Sequence, residues 1–197
     1  LYKCIIIVAW LGNLAGIIGP FSRWPSLKFR TINMLIRLTK IAIGATAGIF
    51  AITIGFDNVI DYGTNFDVVQ HIVSMDMVPR SSLSSRSIHS EIIFHFLYLL
   101  IIATQFLGGA IVLFGCWRLC IVLKATDEVF NQSKELVILG VAILFLLYVF
   151  GFMIIGGEWF QMWRAGAYNM QEPSFRFIVI FGIVILFLNQ ADLGSGK

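Results

Sequence analysis

Charge is what this sequence has least of. Asp, Glu, Lys and Arg make up 13% of its 197 residues, about half the roughly 25% found in soluble domains. Hydrophobic residues make up 58% and the mean hydropathy is +0.88. A soluble fold of this length cannot hide that much apolar surface, so an ordinary cytosolic enzyme is excluded. A disordered chain is excluded too, because it needs low hydrophobicity and high charge. Cysteine is also scarce. Cys4, Cys116 and Cys120 are too few for a disulfide framework, and each lies in or beside an apolar run, where free Cys acts as a small hydrophobe. There is no basic tract interleaved with aromatics, which argues against a nucleic-acid partner. The chain begins at Leu1 rather than Met, which reads as a processed or incomplete start.

What is abundant is uninterrupted apolar sequence. Uncharged windows run over 4–22, 41–56, 92–117, 136–157 and 177–191. Crossing the hydrocarbon core takes about 20 helical residues. The third and fourth windows meet this outright. The second lengthens backwards if Arg37 and Lys40 snorkel, and the fifth does so through Phe175 and Arg176. The first is broken by Gly12, Asn13 and Gly16 and ends at Pro20, so it reads as a span, an interfacial helix or the remnant of a targeting segment. Lipid offers no partner to an unpaired backbone group, so the spans are helices. Runs such as 138–155 lack the alternation of a β-barrel. The expected fold is an all-α membrane protein. It has a four-transmembrane-helix bundle, an additional N-terminal apolar helix and a short outer amphipathic helix. Residues 1–30 form the N-terminal apolar helix and a basic linker, 31–192 the transmembrane domain and 193–197 a C-terminal tail. The lipid bilayer is thus one partner.

Segment 23–40 carries Arg23, Lys28, Arg30, Arg37 and Lys40 without an acid, which assigns it to the cytoplasmic or matrix side. Loop 57–91, with Asp57, Asp61, Asp67, Asp76 and Glu91, then falls outside, as does 158–176. In the first of these loops Thr64 or Asn65 is the expected cap of a short helix. Phe66, Val69, Ile72 and Val73 recur along it at helical spacing, as in a helix lying on the membrane surface. A Ser-rich connector occupies 81–90.

This topology gathers all three histidines, His71, His89 and His95, on the outer side with Glu158. His71, His95 and Glu158 are therefore the candidate site for a haem, a metal or a quinone head group, because imidazole is the commonest metal ligand and ionisable groups at membrane depth default to function. The competing reading is interfacial: each group caps a helix end or pairs with a neighbour such as Glu91, Arg164 or Arg176. Nothing matches a zinc, EF-hand or c-type haem spacing. Gln105 is the most central polar side chain of the third span and reads as interhelical glue. Gly44 and Gly48, four apart, fit the small-residue packing motif. Trp159 and Trp163 are expected on one helix face in an aromatic belt at the membrane interface, with Arg176 nearby. Cys116 and Cys120 suit packing or lipidation better than metal.

Several local blocks resemble a known family. Asp61-Tyr62-Gly63-Thr64-Asn65-Phe66, then His71 with Ser74-Met75-Asp76, then Gly156-Gly157-Glu158-Trp159-Phe160-Gln161-Met162-Trp163 are similar to the predicted small integral membrane proteins of the DUF2165 family. Phe175-Arg176-Phe177 and Phe187-Leu188-Asn189 add to the likeness. It covers roughly 35–192, while 1–25 departs from the pattern. The resemblance implies four transmembrane helices and no assigned activity. The leading expectation is an accessory or structural subunit of a larger membrane complex. The host is expected to be respiratory and to lie in a bacterial or mitochondrial inner membrane, with other membrane subunits as partners and lipid as the natural ligand. The alternative is a redox protein that binds a haem, metal or quinone at the histidine cluster.

Overall fold

The computed structural model describes residues 24–192, with side chains described from Ile32 onward. The expected apolar helix within 1–22 and the tail 193–197 lie outside the described residues. Among the described residues, six α-helices occur in chain order: α1 (Trp24–Ile60), α2 (Tyr62–Ser74), α3 (Glu91–Ile121), α4 (Asp127–Ser133), α5 (Glu135–Leu146) and α6 (Gln171–Asn189). Three-residue-per-turn segments occur at Ser82–Arg86, Met162–Arg164 and Gly166–Tyr168. No strand occurs among the described residues. Among the described residues, four stretches are long and apolar enough to cross a membrane: Ile32–Ile60, Glu91–Ile121, Asp127–Trp159 and Gly166–Asn189. The expected all-α four-span bundle is what the structure has.

The basic stretch read as a linker is itself helical. Pro25 stands in the first turn of α1, where a missing N–H is tolerated. At 37 residues, α1 is ~55 Å long, well beyond the ~30 Å hydrocarbon core. Arg37 and Lys40 do not snorkel outward as expected. They are buried, at 5% and 1% exposure, because acceptors on other helices meet them. Arg37 Nη1 donates to the carbonyls of Leu123 and Ala125, both at 2.8 Å, and Nη2 to Asp127 Oδ1 at 2.5 Å. Its guanidinium lies over the Phe130 ring. Lys40 and Lys134 both donate to Asp192 Oδ2, at 3.0 and 3.1 Å, and both to the Gln190 carbonyl. Asp192 is held in turn by its N–H donating to Asn131 Oδ1. This lysine end thus ties α1, α4, α5 and the residues after α6 into one buried knot.

The helices above the knot approach to backbone distance. A Cβ on Gly109 would lie 2.9 Å from the Gly48 carbonyl oxygen, and one on Gly140 would lie 2.8 Å from that of Gly108. Alanine at either place forces α3 away from α1 or from α5. A Cβ on Gly44 would meet Cys116 Sγ at 3.0 Å, and one on Gly48 would meet Val112 and Leu113, so both glycines of the expected motif face other helices of this chain. Val112, Leu119, Phe130, Val137, Val141, Leu144, Phe181 and Leu188 fill the space between the helices at 0% exposure.

A polar chain threads the same core. Asn65 Nδ2 donates to Asn58 Oδ1 at 2.7 Å, Asn58 Nδ2 to Gln105 Oε1 at 2.9 Å, and Gln105 Nε2 to the Tyr148 hydroxyl at 3.4 Å. The Tyr98 hydroxyl donates to the Asn58 carbonyl. Gln105 is thereby tied to α1 and to the span that continues α5. Stacking on Phe152 and Phe177 fixes the Tyr148 ring.

That continuation is unusual. From Leu147 to Trp159 the backbone forms a π-helix of 13 residues, whose i to i+5 ladder is completed by Phe160 N–H donating to the Ile155 carbonyl at 3.0 Å. Most π segments are single turns, and they concentrate at functional sites. The wider turn carries Gly151, Gly156 and Gly157.

Candidate functional site

The end opposite the lysine knot is built around α2. Asp61 precedes it without a side-chain cap bond, so α2 starts at Tyr62, ahead of the expected Thr64 or Asn65 entry. Met75 ends it in the left-handed region, at φ 54°. The apolar face of α2 packs into a second small core in which Ile72, Val73, Phe94, Phe160 and Met162 are buried. Its polar face carries His71.

His71 is enclosed by acids from the same segment. Its Nδ1 lies 2.8 Å from Asp76 Oδ1, and its Nε2 lies 3.4 Å from Asp67 Oδ1. A carboxylate thus stands at each ring nitrogen. Tyr168 packs its ring on His71 at 4.4 Å and donates its hydroxyl to Asp67 Oδ2 at 3.2 Å, which pins α2 to the segment before α6. Burial alone would raise the Asp76 carboxyl, but the hydrogen bond and charge of His71, with Ser74 and the Met77 amide, hold it below its usual value. A carboxyl lowered on folding adds stability that is complete above its unfolded value and is lost as pH falls through its folded one. The expected outcome is that amide protection factors across 72–78 fall as pH drops below ~3.9, and that Asp76→Asn removes this step. Hydrogen exchange read by mass spectrometry checks it; an unchanged pH step in the variant contradicts it.

His95 is satisfied elsewhere. Tyr62 Oη lies 2.8 Å from His95 Nδ1, and Phe66 stacks on the imidazole at 4.2 Å. Burial pushes the Tyr62 phenol above its usual value. The two histidines therefore fasten α2 at two separate points: His71 to segment 166–168, His95 to α3. The prospective Glu91 partner is replaced by Tyr62. Glu158 is exposed at the end of the π-helix, and His89 is exposed in the connector. Among the described residues, no group of three or more His, Cys, Asp or Glu is placed to hold a metal ion.

The aromatic residues also depart from the expected shared helix face. Trp159 closes the π-helix, Gln161 turns the chain at φ 56°, and Trp163 lies in the next short turn. Both tryptophans are exposed. Arg86 lies over the Trp159 ring at 4.7 Å and donates to its carbonyl. Arg176 pairs with Glu172 one turn away on the surface of α6. The Ser-rich connector contains an ordered turn, capped reciprocally by Ser81 and Ser84.

Beneath α2 lies a feature that sequence reasoning missed. A groove of about 770 Å³ runs between α3 and the π-helix, within the roughly 300–1,000 Å³ of small-molecule sites. Leu97, Leu100 and Ile101 form one wall, and Leu147, Gly151 and Phe152 the other. Val69, Ile72, Val73, Phe160 and Met162 line its upper part, where the second core closes it. Thr104 is the one polar side chain among the lining residues, and its hydroxyl already donates to the Leu100 carbonyl. No residue spacing announces the groove, because a groove wall and an outward helix face use the same apolar residues.

A family model described as a predicted small integral membrane protein, DUF2165, matches residues 36–191. Comparison with curated proteins and with solved structures yields no match.

Proposed function

Given that the chain belongs to the DUF2165 family of small integral membrane proteins, we propose that it is an accessory, structural subunit of a larger membrane complex, and that its host is a respiratory one. The observation that carries this reading is how the buried charges at the basic end of the bundle are used. Arg37 is paired with Asp127, and Lys40 and Lys134 with Asp192, all inside the chain. They lock helices together, as do the Asn58, Gln105 and Tyr148 bonds. The outward faces are left apolar. On α6, Phe175, Val179, Ile183 and Leu186 succeed one another at helical spacing and are all exposed, a seam suited to lateral contact with another helix.

The second reading, a cofactor held by His71, His95 and Glu158, has to displace existing partners. A ligand to His71 competes with Asp67 and Asp76, and one to His95 competes with Tyr62. The geometry favours the structural subunit.

The test is affinity purification of the tagged chain from native membranes in mild detergent, then native electrophoresis and a visible-range spectrum. The expected result is a discrete assembly far larger than 22.1 kDa with cofactor absorbance contributed by other subunits. A lone monomer at every detergent concentration overturns the proposal. A discrete assembly without cofactor absorbance overturns the respiratory assignment alone.

A further inference from the structure

We propose that the groove between α3 and the π-helix is a binding site for one phospholipid acyl chain. Three observations on different parts of the molecule converge on this occupant.

The first is the shape of the site. The groove opens sideways, but α2 and the 160–162 turn close its upper end through the second core. A membrane-spanning partner helix would have to continue past that closure, so the groove accepts only an occupant that ends within the hydrocarbon. Along α3 the lining runs from Leu97 to Thr104, ~10 Å at 1.5 Å per residue. That is most of the ~15 Å depth of one leaflet, the length scale of the distal part of a fatty chain.

The second is the absence of free donors in the lining. A quinone ring or another polar head would carry carbonyl oxygens against walls whose one hydroxyl, on Thr104, is already donated to Leu100. An unpaired polar group in such a place costs several kcal/mol on a hydrocarbon reference. A methylene chain has no such penalty, and acyl chains are the solvent the groove opens into.

The third is Gly151. Other interhelical glycines meet a neighbouring helix closely, as at Gly109 and Gly140, where backbone touches them. Gly151 is different: a Cβ built there would meet only Leu147 Cδ1, at 3.8 Å. It lines the groove and packs no helix. Its missing side chain leaves the wall open at that point. A glycine that serves no helix contact at a concave wall fits close approach by a ligand.

The experiment uses the full chain reconstituted in phosphatidylcholine vesicles. The vesicles contain a trace of phosphatidylcholine with a photoactivatable diazirine in one acyl chain, and adducts are mapped by mass spectrometry. Expected are adducts on 97–104 and 147–156 about tenfold above those on the exposed Leu107, Phe114 and Leu186, equivalent to a preference of roughly 1.4 kcal/mol. Gly151→Leu, which fills the groove, is expected to bring this excess down to the exposed-surface level while Leu186 labelling stays unchanged. Thr104→Phe does the same from the facing wall, so a folding defect in one variant leaves the other to decide. Labelling spread evenly over all exposed positions of the wild type means ordinary boundary lipid and overturns the proposal. Retention of the excess in both folded variants overturns it as well. A diazirine polyisoprenoid probe that labels the groove when the phosphatidylcholine probe does not overturns the acyl assignment.

Discussion

Replacing Asp192 by Asn is expected to destabilise the bundle by about 3–5 kcal/mol, the usual loss when one partner of a buried ion pair is removed and the other charge stays. Among the described residues, Asp192 is the only acid that meets Lys40 and Lys134, and the three side chains are 1–3% exposed. Counted by formal charge, two lysines and one aspartate leave a buried excess of one positive charge. Asp192→Asn raises that excess to two. Lys134→Met lowers it to zero and leaves Lys40 with a one-to-one partner at 3.0 Å. The order of effects is therefore set by charge. Lys134→Met is expected to cost much less than Asp192→Asn, because replacing a buried ion by a well-packed apolar side chain is often neutral. Adding Lys134→Met to Asp192→Asn is expected to recover part of the loss. Asp127→Asn is expected to be milder again, since Arg37 keeps its bonds to the Leu123 and Ala125 carbonyls and the Asp127 side chain is 29% exposed. Reversible unfolding of the purified protein in mixed micelles, monitored by far-UV circular dichroism, gives all four values. A larger effect for Lys134→Met than for Asp192→Asn would show that hydrogen bonds to the Gln190 carbonyl, rather than charge, hold the knot.

That knot was not legible in the sequence, and the reason is distance. Lys40 and Lys134 lie 152 and 58 positions from Asp192, so no local spacing announces the contact. Arg37 and Lys40 looked like snorkelling residues because a helix-end position says nothing about which way a long side chain turns. The spans, by contrast, were legible because membrane crossing asks only for an uninterrupted apolar length. The windows 41–56, 92–117, 136–157 and 177–191 are matched by the four spans of the structure. The structural spans are longer because the helices run on into polar residues, as with Glu91 at the start of α3 and Gly166–Tyr168 ahead of α6. α2 was legible as well, since Phe66, Val69, Ile72 and Val73 repeat at 3.6-residue spacing. The backbone form of 147–159 was not. The segment is apolar all round, so its hydropathy reads the same for a π-helix and an α-helix, and the groove depends on that difference. The Trp159 and Trp163 pairing failed for a local reason: Gln161 adopts a left-handed conformation between them.

The groove also depends on how closely α3 and α5 meet at the other half of the pair, which makes Gly140→Ala the second variant of large expected effect. Its new Cβ would lie 2.8 Å from both the Gly108 carbonyl oxygen and the Val112 backbone nitrogen, and 2.7 Å from Val112 Cγ2. Backbone atoms cannot rotate away, so the two helices must separate. Overpacking of this kind costs about 1–3 kcal/mol, against which the better helix propensity of Ala returns roughly 0.8–1.0 kcal/mol. A net loss of up to about 2 kcal/mol is therefore expected. Gly182→Ala is the matched control. Its Cβ would meet only the edge of the Phe145 ring, at 3.4 Å, so helix propensity decides and the change is expected to be neutral or slightly stabilising. The same micelle titration compares the two. Separation at Gly140 also moves the wall that carries Val141 and Leu144 away from Val112, loosening residues now at 0% exposure. A cysteine-specific probe checks this directly. Cys116, buried on the neighbouring turn of α3, is expected to react faster in Gly140→Ala than in the wild type and to be unaffected by Gly182→Ala. Unchanged reactivity together with an unchanged unfolding midpoint would mean that α3 and α5 are not held at backbone contact by these glycines.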